Sequence, residues 1–291
     1  MLERWQLEPI IVCGLLLFGI MFGAGIRRRS RREAQRGAWR PLCFYSGLGT
    51  IYLALQSPLD DLSTHFFWLH QIQHVVLIQL APVLLLLPAP QARLIAGLPR
   101  PVRPVVGAVL ANRGVQATFK LLTHPAVATF LFSLILLVWN VPTIHDAAVS
   151  DGALHDLMHV TMLAAGLIFW WRVLDHRAPP AGTPYILRLI MLQVAMKAGV
   201  LLGGYLALKQ QQLYTVYDRL GSTLPAATDE MLGGFILWFG GSILPLWVGV
   251  VILRRWMRQL RKAEDGALED VSIGDHLQAR RDALKPDVAV Q

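Results

Sequence analysis

Apolar residues dominate the chain in long runs separated by short polar connections, and that pattern is the first guide to its architecture. A helix needs about 20 apolar residues, with a range of about 17–25, to cross the hydrocarbon core of a bilayer. Seven stretches meet that length, at about 7–26, 41–57, 66–88, 125–141, 153–174, 185–207 and 231–253. The second is the shortest. It begins at Pro41, a residue suited to a first helical turn, and stops before Pro58. The expected fold is an all-α integral membrane protein, a bundle of seven transmembrane helices over residues 1–263, followed by a polar tail over 264–291 that is helical in part.

Composition supports this reading. Of 291 residues, 54% are hydrophobic and only 16% charged, and the mean hydropathy is +0.46. A soluble domain carries about a quarter charged residues. The net charge of +8 would suit a nucleic-acid partner, but the cations crowd the ends of the apolar stretches, where they set orientation instead. The connections after spans one, three and five and the tail hold Arg27, Arg28, Arg29, Arg31, Arg32, Arg36 and Arg40, then Arg93, Arg100, Arg103, Arg113 and Lys120, then Arg177, then Arg254, Arg255, Arg258, Arg261 and Lys262. The other side holds Arg4, Lys209 and Arg219. The positive-inside rule then places the N-terminus outside and the C-terminus in the cytoplasm. The basic run also follows the first apolar stretch, the order of a retained span and not of a cleaved signal. The connection 89–124 is broken by prolines, and its basic amphipathic part suits either a helix on the inner leaflet or a solvated connector.

Cys13 and Cys43 form no CxxC motif and no disulfide framework. No phosphate-binding or nucleophile-elbow motif is present. The Gly pairs at 203–204, 233–234 and 240–241 permit close helix packing.

The histidines are the chemical feature. In the topology above, His65, His70, His74, His145, His155 and His159 gather on the outer side. His70 and His74 are one helical turn apart, as are His155 and His159, and each pair projects from one face at a similar depth. Ionisable groups inside a span are costly and mark a site or a satisfied interhelical bond. Four imidazoles facing one another suit zinc, copper, iron or nickel. His155, Met158, His159 and Met162 share a face of span five, and a thioether there would favour Cu(I). His65 and His145 lie in or beside loops and are secondary candidates, as is Met162. Gln73 shares the histidine face and could orient an imidazole. Asp60, Asp61, Asp146, Asp151, Asp156, Asp218, Asp229 and Glu230 make this side acidic and attractive to cations. Lys197, near the middle of span six, needs a partner, a wet cavity or a neutral state.

Three motifs carry a resemblance. HQIQHVVLIQLAP at 70–82, LHDLMHVTMLAAGLIFWW at 154–171 and TDEMLGGFILWFGG at 228–241 resemble signatures of the seven-helix CtaG family of cytochrome c oxidase assembly proteins, in the same order. The matching positions are His70, Gln73, His74, His155, His159, Asp229, Gly233, Gly234 and Trp238. Asp229 thereby joins Gln73 as an expected supporting residue of the site. Two departures fall near it. Where the family often has Trp-His before a proline on span four, this chain has Trp139-Asn140-Val141-Pro142, and where the family has Asp-Gln it has Asp229-Glu230. The resemblance implies a non-enzymatic copper-handling assembly factor, multi-pass in the plasma membrane of a bacterium (the inner membrane if Gram-negative). Its implied partners are oxidase subunits or another copper chaperone. Two other functions fit the residues: a membrane cytochrome with haem held by cross-helix histidines, and a membrane zinc hydrolase using three histidines and a carboxylate base.

Overall fold

The computed structural model describes residues 8–28, 37–177, 179–219 and 224–283, with side chains described up to residue 265. All regular secondary structure among the described residues is helical, with no strand. In chain order the helices are α1 (Pro9–Arg27), α2 (Trp39–Gln56), α3 (Pro58–Ser63), α4 (Phe67–Leu86), α5 (Gln91–Gly97), α6 (Val102–Ala111), α7 (Arg113–Leu122), α8 (Pro125–Val138), α9 (Pro142–Ser150), α10 (Gly152–Val173), α11 (Tyr185–Leu208), α12 (Val216–Arg219) and α13 (Ala226–Asp265). The backbone helix of α13 continues to Ala283, so no break marks the expected tail boundary at residue 264. Arg4, Arg29, Arg31, Arg32, Arg36 and the last residues of the tail lie outside the described residues.

Among the described residues, five helices are long and apolar enough to cross a membrane: α1, α4, α10, α11 and α13. They coincide with the first, third, fifth, sixth and seventh apolar stretches. The second stretch forms α2, which has 18 residues but is diluted by Arg40, Ser46, Thr50 and Gln56. The fourth forms α8, only 14 residues long. Together α7 and α8 are long and apolar enough to cross, but they are bent by 65° at the Thr123-His124 break before Pro125; counted as one span, the pair raises the number to six. The connection 89–124 folds into short helices, and α7 exposes Val115, Phe119 and Leu121.

Two prolines shape the helices beside the histidines. Pro82 cannot donate to the Ile78 carbonyl one turn back, and a π-helical turn, Val76–Leu80, precedes it. Gly166 of α10 packs on that carbonyl so closely that any Cβ would clash. In α13, Pro245 likewise leaves the Gly241 carbonyl without its usual donor, just after a second π turn, Ile236–Gly240. Gln79 Nε2 supplies a hydrogen bond to that carbonyl at 3.1 Å. A buried polar residue of one broken helix thus repairs the other. Gly203 of α11 and Gly234 of α13 meet backbone to backbone, the close packing their sequence context predicts. Lys197 projects from the exposed face of α11, beside Val194 and Leu201.

Candidate metal centre

The centre lies where the N-terminal halves of α4 and α10 meet. Each helix start is capped by an aspartate. Asp151 caps α10 locally, accepting the Leu154 N–H at 2.9 Å. Phe66, at the start of α4, has no capping side chain, and Asp229 of α13 acts instead. Its carboxylate accepts the N–H groups of Phe67 and Trp68, both at 2.9 Å. A carboxylate there satisfies two orphan donors and favours the positive end of the helix. Asp229 therefore holds the helix that carries His70 and His74, and does not touch their rings.

The two pairs do face each other. The rings of His70 and His74 are 4.4 Å apart between centroids, and those of His155 and His159 4.2 Å. Across the helices the separations are 5.3 Å for His70–His155, 6.0 Å for His70–His159 and 6.3 Å for His74–His159. One donor nitrogen from each of His70, His155 and His159 lies within 4.8 Å of the other two. Three nitrogens bound to one ion at about 2 Å lie about 3.5 Å apart, so small ring rotations would close this trio on a metal.

The hydrogen bonding fits that use. His70 Nδ1 faces the Ser63 carbonyl at 3.3 Å, which fixes the proton on Nδ1. Metal-bound histidines commonly make such a bond with the nitrogen opposite the metal. The Nε2 atoms of His70, His155 and His159, and both ring nitrogens of His74, are buried without a hydrogen-bond partner. Each such atom costs about 1–3 kcal/mol if nothing replaces water. No protein group among the described residues bonds these nitrogens.

The secondary candidates separate. His145, on α9, joins the cluster, its ring 4.8 Å from His70. Both its nitrogens are engaged. Nδ1 donates to the Trp139 carbonyl at 3.0 Å, so Nε2 accepts from the Tyr217 hydroxyl at 2.8 Å. Burial holds its pKa down to about 4, against the Trp139 bond, which raises it. His145 thus walls the site as a neutral imidazole. His65 stays in the turn after α3, its Nδ1 near the Asp61 carbonyl and the Thr64 hydroxyl, and outside the cluster. Met162 is fully buried in the apolar core one turn beyond His159. Gln73 does not orient an imidazole. Its amide donates to the Ala54 carbonyl at 2.7 Å and to Asp60 Oδ1 at 2.6 Å. Burial lifts the Asp60 carboxyl to about 6; the Gln73 bond opposes this, while Glu8, Asp156 and Asp61 add to it.

The departures from the family motifs are built into this shell. Asn140 accepts from Gln71 Nε2 at 3.0 Å and donates to the Leu136 carbonyl at 2.8 Å. Glu230 accepts the N–H groups of Leu213 and Tyr214 and pairs with Lys209. It anchors a segment that the sequence did not single out. Within it, Tyr214 stacks on Phe67 at 4.3 Å and donates to the Asn140 carbonyl at 2.8 Å, and Tyr217 reaches His145. Only the density of aromatic residues in this segment could have signalled its role.

The profile of the cytochrome c oxidase caa3 assembly factor family (Caa3_CtaG) matches residues 20–259. The chain belongs to this family. The match covers all five clustered histidines, Asp229 and Glu230. Caa3_CtaG proteins are oxidase assembly factors, which points to a non-catalytic role, and the chain is a multi-pass bacterial membrane protein. It is 24% identical to an uncharacterised protein of Mycobacterium bovis and to one of Mycobacterium tuberculosis, over 98% of this chain and 44% of each relative. An uncharacterised protein of Mycobacterium leprae is 23% identical over 97% of this chain and 44% of its own length. The chain thus spans less than half the length of these curated relatives. No solved structure matches it.

Proposed function

We propose that this chain assists assembly of cytochrome c oxidase by holding copper at His70, His155 and His159 and passing it to the oxidase or to another copper chaperone. The observation that carries this reading is the trio of buried imidazole donors within 4.8 Å, each with an unpartnered nitrogen. Imidazole is a good ligand for copper, and the buried Met162 thioether nearby would favour the Cu(I) state. His74 sits against His70 with both nitrogens free of partners. It provides a further donor, so an ion could shift from one imidazole to the next as a client's ligands replace them. His70 has the rings of His74, His145, His155 and His159 within 6.0 Å. That crowding suits a small ion better than a flat macrocycle.

The same reading includes the topology. With α2 and α8 as spans the bundle has seven, and the Lys and Arg distribution puts the histidine end outside and the C-terminus in the cytoplasm. A periplasm-active reporter fused near Ala148 would be active and one near Gly182 silent. The reverse pattern would put the histidines on the cytoplasmic side and end the delivery reading. For function, copper analysis of the purified chain should find about one ion per molecule. Cells lacking the protein should make oxidase subunits and haem but little active oxidase, with partial recovery on added copper. Full activity in the deletion strain at the lowest copper that supports growth would overturn the proposal.

A further inference from the structure

An ion held by the histidine cluster must first reach nitrogens that are almost completely buried. His159 is 4% exposed and has an unpartnered Nε2. Yet it lines a cavity of about 210 Å³ together with Glu8, Asp60 and Asp156. These carboxylates come from three separate places: the residue before α1, the short helix α3 and the first turns of α10. Glu8 is positioned by its own N–H, which donates to Gln56 Oε1 at 2.6 Å. Asp60 is positioned by Gln73, one residue from His74, at 2.6 Å. Glu8 and Asp156 are exposed and Asp60 is half-buried, so negative charge runs from the surface inwards. The remaining lining residues, among them Ile10, Leu55 and Val160, are apolar. A second cavity, of about 370 Å³, shares Ile10, Ile11, Leu55, His159 and Val160, but its lining is otherwise apolar and leads away between the helices.

We infer that the cavity lined by Glu8, Asp60, Asp156 and His159 is the portal through which a metal cation enters the histidine cluster, with His159 the first imidazole to take it. The inference rests on the metal-holding reading above. The division of labour is chemical. Carboxylates in a cleft with low-dielectric walls raise the local concentration of a cation. They are poor ligands for a soft ion such as Cu(I), so they collect it without trapping it. Imidazole binds it more firmly, which draws the ion inward. The adjoining apolar cavity offers no ligand besides His159 and so gives a cation no path towards the lipid.

The test is rapid-mixing loading of the full-length protein in detergent, with Cu(I) supplied as its acetonitrile complex. Neutralising the portal with Glu8→Gln, Asp60→Asn and Asp156→Asn together should slow loading about tenfold and flatten its dependence on ionic strength. The final copper content should match the wild type, because no histidine has changed. Asp156→Lys alone, at an exposed position that leaves folding intact, should slow loading in the same direction. If both variants load at the wild-type rate with the wild-type salt dependence, the portal assignment is wrong while the cluster stands. If the wild type itself takes up no copper, the metal-holding reading falls and the portal with it.

Discussion

Arg188, near the end of α11 remote from the histidines, is as deeply buried as His159, at 3% against 4% exposure. Each nitrogen of its guanidinium nevertheless has a partner. Nε donates to the Thr183 carbonyl at 2.8 Å, Nη1 to that of Asp175 at 2.7 Å and Nη2 to that of Arg177 at 3.1 Å. The Asp175 carboxylate in turn accepts from Arg177 and Thr183. Burial alone would raise its pKa, but the bonds from Arg177 and Thr183 win and hold it well below the usual carboxylate range. At the histidine end, polar atoms just as buried have no partner. The contrast separates two uses of buried polarity. One network closes the loop between α10 and α11 and is complete as it stands. The other is preorganised, its helices capped by Asp151 and Asp229, and it presents buried nitrogens that no protein group engages, the arrangement on which the metal-holding proposal rests.

Substitutions at the two ends should therefore have opposite signatures. The largest effect is expected from replacing His70, His155 and His159 together with alanine. Copper affinity should fall by more than about 100-fold, measured by competition with a chromophoric chelator. Thermal stability of the metal-free protein should hold, since no hydrogen bond among the trio is lost beyond that of His70 to Ser63. Retained copper would show that the unpaired nitrogens serve something else. Next in size is Arg188→Met. It removes three hydrogen bonds to carbonyls and should destabilise the fold by on the order of 3 kcal/mol, read as a lower unfolding temperature in detergent. Copper bound per folded molecule should be unchanged. A loss of copper in the folded fraction would show that the two ends are coupled. The smallest and most specific effect is expected from Tyr217→Phe. It frees Nε2 of His145 from its hydroxyl partner, converting a satisfied wall residue into a donor. X-ray absorption should then report one more imidazole around copper. An unchanged coordination shell would show that the His145 ring is held out of reach by its neighbours and not by that bond.

Much of this was legible along the chain because it depends on local periodicity. The apolar runs gave α1, α4, α10, α11 and α13, because a hydrocarbon layer demands length and apolarity from each segment separately. The one-turn spacing of His70 with His74, and of His155 with His159, put each pair on one helical face wherever the helix packs. No periodicity along the chain records the π turns before Pro82 and Pro245, nor the bond from Gln79 to the carbonyl that Pro245 leaves. Polar residues whose partners lie far away in sequence are the least legible along the chain. Gln73 shares the histidine face, yet it bonds Asp60, because α3 folds back beside it. Asp229 follows Phe67 by 162 residues and still caps its helix.

By itself, then, the sequence determined which segments are helices suited to a membrane, which face of each carries imidazole, and which family the motifs resemble. Each of these follows from backbone geometry and transfer free energy within a single segment. Only the tertiary structure decided that α4 and α10 cross with their histidines in contact, that His145 joins them already bound to Trp139 and Tyr217, and that Glu8, Asp60 and Asp156 converge beside His159. Those facts depend on which helices pack together and at what rotation. Packing is set by small groups at crossings, such as Gly166 on the Ile78 carbonyl and Gly203 on Gly234, and no period along one strand of sequence records it.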